Sequence, residues 1–430
     1  MAGGFTFVHA ADLHLDSQFR GLQQFSEEDT WPEFVRREIR ESTFTTLRRI
    51  VDLVLDRQAA FLLIAGDVYE AAEGSLRAQL RLRDELVRLA ERGIPTFIVH
   101  GNHDHCGVKR PAITFPDTVH FFSHRDVEWY PVLRQGKEIA RVYGISYPQR
   151  DVNENYALRF KRHREAPFAI GLLHCNVGGV PEHENYAPCK LQDLLASGFD
   201  YWALGHIHRP YQVLHREAPA VIYPGNPQGR HPGETGDRGC CVVTVGDNGR
   251  STVEFVPLNA VTWEVKPVTI DGVENLDRLR ERLVSVVGKV QETNRQRSVV
   301  IRLQLIGRGI LHSELRKHHN AYDLLYELRE SCVTEMTPFV WPETLQVLTR
   351  PPVDKDELAQ TDTLLGDLLN LARQVREDPG LQQQLRASLD VLLNHHRAGR
   401  YLSHNNEEEL WMLLERAEDM AIDYLQDGDE

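Results

Sequence analysis

The chain has little that would staple it from outside or carry it into a membrane. Six cysteines occur in 430 residues, at 106, 175, 189, 240, 241 and 332, and no two of them form a CxxC pair. That spacing excludes a disulfide framework and a zinc ribbon, and leaves reduced thiols in a cytoplasmic protein as the expectation. No apolar run approaches the roughly 18–20 residues that a membrane-crossing helix needs. No secretory signal is expected either, because Asp12 and His14 interrupt the only apolar stretch near the N-terminus. Internal repeats and low-complexity linkers are missing. Positive charge is scarce as well: the formal net charge is −14, which speaks against tight, sequence-independent binding of a polyanion by this chain alone. The deficit is uneven, since Asn405–Glu430 holds ten acidic residues and one basic one, Arg416. Without that tail the body is only mildly acidic, and a bound cation would add local positive charge that the count omits.

What the chain does have is apolar surface in short β-rich runs, 41% hydrophobic residues in all, enough for a sizeable core. Phe5–Ala10, Phe61–Ala65, Thr96–Val99, Arg141–Ser146, Phe168–Leu173 and Tyr201–Leu204 read as buried strands, followed by Ala220–Tyr223, Cys241–Val245 and Thr252–Pro257. Between the first three lie helical patterns. Leu47, Ile50, Val51, Val54 and Leu55 form one stripe, and Ser75–Arg92 is a helix stopped by Gly93 and Pro95. This alternation predicts a layered α/β domain over residues 1–258. A small α+β domain follows over 259–350. It is expected to contain strands at Thr262–Ile270, Val299–Leu305 and Leu345–Thr349, with helices near Leu276–Val287 and Tyr322–Arg329. Pro351-Pro352 marks a boundary, and 351–430 is expected to be helical, with one stripe through Leu364, Leu368, Leu371 and Val375. A second stripe runs through Leu410, Leu413, Leu414, Ala417, Ala421 and Tyr424.

Metal-ligand residue types stand just past the predicted strand ends: Asp12-Leu-His14, Gly66-Asp67, Gly101-Asn-His-Asp104, His174 and Gly205-His-Ile-His208. Strand ends of an α/β sheet converge on one crevice, so residues far apart in sequence can meet there. Hydrolysis of a phosphodiester sets a water-derived nucleophile against a highly charged transition state. Two divalent cations about 3.5–4 Å apart can activate the water and neutralise the phosphate oxygens. Holding them that close takes a bridging carboxylate, for which Asp67 is the candidate. Imidazole, carboxylate and amide oxygen suit Mn, Fe or Zn, and the lack of thiolate argues against a closed structural zinc site. The glycines before Asp67, Asn102 and His206 are expected to let the chain turn sharply.

These five blocks, in this order, resemble the DxH, GD, GNHD/E, H and GHxH signature of the calcineurin-like metallophosphoesterases. The resemblance implies a four-layer αββα domain. It implies one metal held by Asp12, His14, Asp67 and His208, and another by Asp67, Asn102, His174 and His206. His103 would contact the phosphate and protonate the leaving oxygen, and Asp104 would orient His103. The segment His9-Ala-Ala-Asp-Leu-His-Leu-Asp-Ser-Gln-Phe-Arg-Gly-Leu22, together with Tyr223-Pro-Gly-Asn-Pro-Gln-Gly-Arg230 and Glu234-Thr-Gly, is similar to bacterial DNA-repair exonucleases of the YhaO and SbcD type. That similarity implies a Mn²⁺-dependent DNA exonuclease subunit whose C-terminal helices bind a coiled-coil ATPase of the ABC/SMC type, in a chain that could also dimerise. It departs from some relatives at Glu70, where they place a second histidine.

Around the blocks, His9, His100 and His105 are read as packed or hydrogen-bonded histidines, and Cys106 and Cys175 as inert buried thiols. The basic cluster Arg159, Lys161, Arg162, His163 and Arg164 is either a solvated surface or, with Arg230, a set of DNA phosphate contacts. A phosphatase or cyclic-nucleotide phosphodiesterase uses the same metal core, and a non-catalytic scaffold regulating an ATPase is a further alternative.

Overall fold

The computed structural model describes residues 4–17, 19, 31–70, 75–108, 113–179, 184–317, 319–332, 338–393 and 407–426. Gln18 and residues 20–22 of the opening motif, and residues 427–430 of the acidic tail, lie outside the described residues. In chain order the elements are β1 (Phe5–Ala10), α1 (Glu33–Asp56), β2 (Leu62–Ala65), α2 (Leu76–Ala90), β3 (Thr96–Val99), β4 (Val119–Phe121), β5 (Glu128–Arg134), β6 (Lys137–Gly144), β7 (Ala169–His174), α3 (Leu191–Leu195), β8 (Tyr201–Gly205), β9 (Gln212–His215), β10 (Ala220–Tyr223), β11 (Gly239–Val245) and β12 (Ser251–Pro257). There follow β13 (Val261–Thr269), α4 (Leu276–Thr293), β14 (Ser298–Ile306), α5 (His312–Leu315), α6 (Asn320–Cys332), β15 (Val340–Val347), α7 (Lys355–Leu358), α8 (Leu364–Glu377), α9 (Pro379–Leu393) and α10 (Glu407–Gln426).

Two six-stranded sheets face each other, ordered β12-β11-β1-β2-β3-β4 and β5-β6-β7-β8-β10-β9. Their inner strands are parallel and their edges partly antiparallel. The period of two along each strand sorts the side chains. Phe5 and Phe7 turn toward the second sheet and pack with Phe61, Phe97, Phe168, Ile170 and Tyr201; the Phe7 and Phe61 rings stack at 4.8 Å. Val8, Ala10, Leu62 and Ile64 turn the other way, onto Leu47, Ile50, Val51 and Val54 of α1 and Leu82 and Leu86 of α2. On the far side of the second sheet, Leu173, Trp202 and Leu204 pack under Tyr156, Phe160 and Leu194. The layers are therefore helix, sheet, sheet, helix, as the αββα expectation has it. Strands covered on both faces read as unbroken apolar runs, which is why they are visible in the sequence.

The elements that escape the sequence are the edges. β4, β5 and β9 are only partly buried, so they lack such runs. β15 begins five residues earlier than Leu345, because Pro342 disguises it; β15 is an edge strand, and the pairing with β14 is irregular at Ile301/Arg302 opposite Pro342 and Thr344. β13, β14 and β15 form a parallel sheet. Val261, Trp263, Val300 and Trp341 of that sheet share a buried cluster with Trp31, Val35 and Ile39. Helix α4 is capped by Asn275, whose side chain accepts from Arg278 N–H at 2.9 Å, a contact worth about 1 kcal/mol. Gly288 lies inside α4, and a Cβ there would meet nothing within 4 Å. Gly288→Ala should raise the unfolding free energy by about 0.5–1 kcal/mol, read as a later urea midpoint with an unchanged slope.

The described residues gather into two compact units, one up to Gly307 with Ser313–Thr349, the other Arg308–His312 with the residues from Arg350 onward. In the second unit, Thr363 caps α8 through Gly366 N–H, and Asp378-Pro379 ends it. The buried stripe of α8 is Leu365, Leu369, Ala372 and Val375; Val375 is shared with the expected stripe and the other three lie one residue further on. Leu364 and Leu371 are consequently exposed. Helix α10 packs through Ile422 and through Glu418, which meets Lys355 at 3.1 Å and Arg376 at 2.5 Å. Leu413 and Tyr424, two members of the second stripe, face outward. No helix among the described residues is long and apolar enough to cross a membrane.

Candidate metal centre

The first two loops are zipped together by main-chain bonds: Asp12 N–H to Gly66 O at 3.0 Å, His14 N–H to Asp67 O at 2.9 Å, and Leu15 N–H to Val68 O at 2.9 Å. The backbone here is unusual for residues with side chains. Asp12, His14, Asp67 and His206 all have positive φ, at 53°, 42°, 48° and 106°. Such conformations cost on the order of 1–3 kcal/mol each and persist only where the surroundings impose them. Four expected ligands therefore carry backbone strain, and three of them, Asp12, His14 and Asp67, fall within the donor groups of one pocket.

Three overlapping groups of donors result: Asp12, His14 and His208; His14, Asp67 and His103; Asp12, Asp67 and His174. Within each, one atom per residue lies within 4.8 Å of the others. His14 Nε2 is 3.1 Å from His208 Nε2 and 3.8 Å from Asp67 Oδ2. On the other side of Asp67, His174 Nε2 is 3.4 Å from Oδ2 and 3.0 Å from Asn102 Oδ1. Asp67 thus lies between two imidazoles. His206 stands outside the three groups but adjoins them: its N–H donates to the Asp12 carboxylate at 3.0 Å, and its ring centre is 5.2 Å from that of His174.

The expected orienting role of Asp104 takes a different form. Its carboxylate accepts from Val68 N–H at 2.9 Å and Gly101 N–H at 2.7 Å and faces His100 Nδ1 at 3.0 Å. It fixes the loop backbone, whereas Nδ1 of His103 lies 3.2 Å from the Glu70 carbonyl. The His103 ring sits edge-on to His14, 4.9 Å between centres. His9 is a packed histidine, held by Tyr201 OH and Leu204 O.

Electrostatics favour cations here. Burial, then the Arg230 guanidinium, hold His14 down at about 3, so its ring stays neutral with a lone pair to offer. Burial likewise lowers His208. Burial and the charge of Asp67 push Asp12 well above the ordinary carboxylate range. Burial also works to raise Asp67, but His174, His14, His103 and the His103 N–H outweigh it and hold it low. Two buried carboxylates that repel each other, with the lowered imidazoles of His14 and His208 beside them, fit a pair of divalent cations. The neighbouring thiol fits the same picture: burial pushes Cys175 far up, leaving it protonated and unsuited as a ligand.

The cationic candidates divide. Arg230 is buried, with its guanidinium on the Glu70 carboxylate and on Ser17 Oγ at 3.2 Å, so it faces the centre and not the surface. Arg162 donates to Gly198 O at 2.6 Å and pairs with Asp200. Asp200 in turn accepts from Ala169 N–H, at the opposite end of β7 from His174. At about 3.3 Å per residue, Arg162 is most of a strand length from the centre, which corrects its placement beside the cleft. Arg159 binds the Arg125 carbonyl and Asp126, and Lys161 is exposed. The sequence left Glu234 without a role; its carboxylate meets His208 Nδ1 at 2.9 Å and Arg230 N–H at 2.7 Å. Only its place in the block after Arg230 could have signalled it.

Residues 5–210 match the calcineurin-like phosphoesterase family, and residues 263–350 match the middle domain of metallophosphoesterase YhaO. The chain belongs to the calcineurin-like metallophosphoesterases, a hydrolase family built on a dinuclear metal site. It is 37% identical over 418 residues to the uncharacterized metallophosphoesterase YhaO of Bacillus subtilis (strain 168), covering 97% of each chain. Likeness to two nucleic-acid proteins is weaker. The SbcD component of the nuclease SbcCD of Bacillus subtilis (strain 168) is 22% identical over 51% of this chain and 61% of its own. The DNA double-strand break repair protein Mre11 of Sulfurisphaera tokodaii is 25% identical over 47% of this chain and 48% of its own. The chain thus spans only about half to three fifths of these two relatives.

Proposed function

We propose that the protein is a Mn²⁺-dependent DNA exonuclease subunit. The observation that carries the metal part of this reading is the placement of Asp67 between the His14 and His174 imidazoles, with Asp12, Asn102, His206 and His208 around them. The DNA part is supported by the likeness to the SbcD component of SbcCD and to Mre11. Asp12, His14, Asp67 and His208 would hold one ion, and Asp67, Asn102, His174 and His206 the other. When bound, the ions neutralise phosphate oxygens and lower the pKa of a water. His103, held by the Glu70 carbonyl, approaches the phosphate and gives a proton to the departing oxygen. Asp104 keeps the loop carrying Asn102 and His103 in place. Arg159 and Lys161 are the surface cations offered to DNA, and residues 259–350 cap the nuclease domain.

A coiled-coil ATPase docks on the helical segment 351–430, where Leu364, Leu371, Met412, Leu413 and Tyr424 are the exposed apolar side chains open to it. The test is digestion of end-labelled DNA with Mn²⁺, beside EDTA-treated protein and His103→Ala. EDTA should abolish digestion, and His103→Ala should slow it by roughly 10²–10⁴-fold, the range for a positioned proton donor. Undiminished digestion in both arms refutes the mechanism. Rapid turnover of small phosphoesters with intact DNA assigns a phosphatase instead.

A further inference from the structure

The second sheet leaves an indole ring uncovered at its edge. Trp129 lies on β5, an edge strand, and is 41% exposed. The ring is nevertheless fixed in place. The Arg141 guanidinium lies over it, 4.1 Å from the ring centre. Arg141 is itself buried and clamped by both carboxylate oxygens of Glu138, at 2.7 and 2.9 Å. The His163 ring meets the indole at 5.4 Å and 70°, and the His163 backbone N–H donates to the Tyr143 hydroxyl at 3.1 Å. Among the described residues no other ring or cation meets the indole, so the face away from Arg141 is open to a flat partner.

That ring stands among cations. His163 belongs to the run Arg159–Glu165, which sets Arg159, Lys161, Arg162 and Arg164 against one acid, Glu165, in a chain of net charge −14. Arg162 is taken up by Asp200. Arg159 bonds to the Arg125 carbonyl and to Asp126, which ties the run to the loop entering β5. The Asp126 carboxylate is held low by the Val127 N–H and by Arg159, and Lys161 adds to them, so Lys161 stands by the same loop. Arg125, Lys161 and Arg164 are exposed and have no carboxylate within 4 Å among the described residues. Their charge fits a polyanion. A further protein strand fits less well, because Pro131 in the middle of β5 lacks the N–H that strand addition uses.

Register places this patch relative to the metal centre. Trp129 pairs with Tyr143, and Tyr143 with Gly171, three residues short of His174. The Trp129 backbone is therefore offset from His174 by about 10 Å along the strands and by two strand spacings, again about 10 Å, across them. We propose that Trp129, seated on Arg141 with Arg125, Lys161 and Arg164 near it, is a stacking site for an unpaired base of single-stranded nucleic acid, separate from the metal centre. Every base has a flat face, so a rigid exposed ring takes any of them, and flanking cations take the phosphates on either side. Bases in a duplex are already stacked on one another and do not offer that face. The inference rests on the DNA reading above and deepens it: the protein grips a single strand at a second point, away from the bond that is cleaved.

The experiment is fluorescence-anisotropy titration of the EDTA-treated full chain with a labelled oligothymidylate of about 12 nucleotides, a length such platforms cover, beside a duplex of equal length. EDTA removes what the metal centre would contribute. Trp129→Ala should weaken oligothymidylate binding by about 5–150-fold, the range for loss of one stacked base, and leave any duplex binding unchanged. Trp129→Phe should keep most of the affinity, which separates stacking from a folding defect. Lys161→Gln combined with Arg164→Gln should lower the slope of log affinity against log salt by about 1.4, as two lost phosphate contacts on a single strand do. The proposal is overturned by an unchanged oligothymidylate affinity in Trp129→Ala, by an equal loss on duplex, by a salt slope that the double variant does not move, or by an unaltered protein that binds no oligothymidylate. It also falls if Trp129→Ala converts a dimer to a monomer in sedimentation without weakening oligothymidylate binding, since the ring then serves a second copy of the chain. Mn²⁺-dependent digestion of DNA is scored separately. Digestion that persists when these results fail removes the stacking site alone, and its absence removes the DNA reading itself.

Discussion

Asp67→Asn should leave a folded protein that no longer holds two cations and that cleaves DNA at least about 10³-fold more slowly, a larger loss than the 10–100-fold typical of outer partners. The side chain keeps its shape and loses its charge. Oδ1 would still accept the His103 N–H, which stands at 2.9 Å, so the loop carrying His103 has no reason to move. Oδ2 is the atom between the imidazoles of His14 and His174, 3.8 Å from one and 3.4 Å from the other. An amide oxygen there is a weak donor to one ion and a poor bridge between two. The repulsion that pushes Asp12 upward is also removed, so the metal-free variant should melt at or near the temperature of metal-free unaltered protein. The separation appears on adding Mn²⁺. At one hundred times its dissociation constant a ligand stabilises the folded state by about 2.7 kcal/mol, and the variant should lose most of that gain. Full Mn²⁺ stoichiometry and an unchanged cleavage rate in Asp67→Asn would dismiss the bridge.

The ligand blocks were legible because chemistry and topology coincide in them: each stands at the end of a mostly apolar strand, as strands buried on both faces read. The supports of those ligands were not legible. Glu70 and Glu234 look like any surface glutamate in sequence, and it takes the fold to bring residues 14, 70, 208, 230 and 234 into contact. Arg230 stood in a recognisable block, yet its charge suggested DNA where burial makes it a tie. Within the cluster Arg159–Arg164, only the fold shows that Arg162 closes onto Asp200 at the far end of the sheet. In α8 the leucines fall on adjacent positions, Leu364 with Leu365 and Leu368 with Leu369, so the sequence admits two stripes one residue apart and only packing chooses between them.

The glycines carry the last expected result, and here the reason differs from the sharp turn anticipated for all three. Gly66 does have positive φ, at 88°, but Gly101 and Gly205 do not. They are glycine for want of space. A Cβ on Gly101 would stand 2.4 Å from Asp67 Oδ1 and 2.8 Å from His174 Nε2. A Cβ on Gly205 would stand 1.8 Å from the Ala65 carbonyl oxygen and 3.0 Å from His174 Nδ1. Gly205 ends β8 and Ala65 ends β2, so here strands of the two facing sheets come into close contact beside the centre. The Ala65 oxygen is also the group that orients His174, at 2.9 Å. A methyl group at Gly205 collides with backbone, which cannot swing aside as a side chain can, and the sheets must part at their C-terminal ends. Gly205→Ala should therefore cost more than the roughly 1–3 kcal/mol of ordinary overpacking. It should also abolish Mn²⁺-dependent stabilisation, because parting the strands releases His174 from its carbonyl. The comparison is urea unfolding of Gly205→Ala, Gly288→Ala and the unaltered chain, each with and without Mn²⁺. A Gly205→Ala midpoint equal to that of the unaltered protein, with its Mn²⁺ response intact, would mean that the sheets do not meet at Ala65 and that His174 is held by something else.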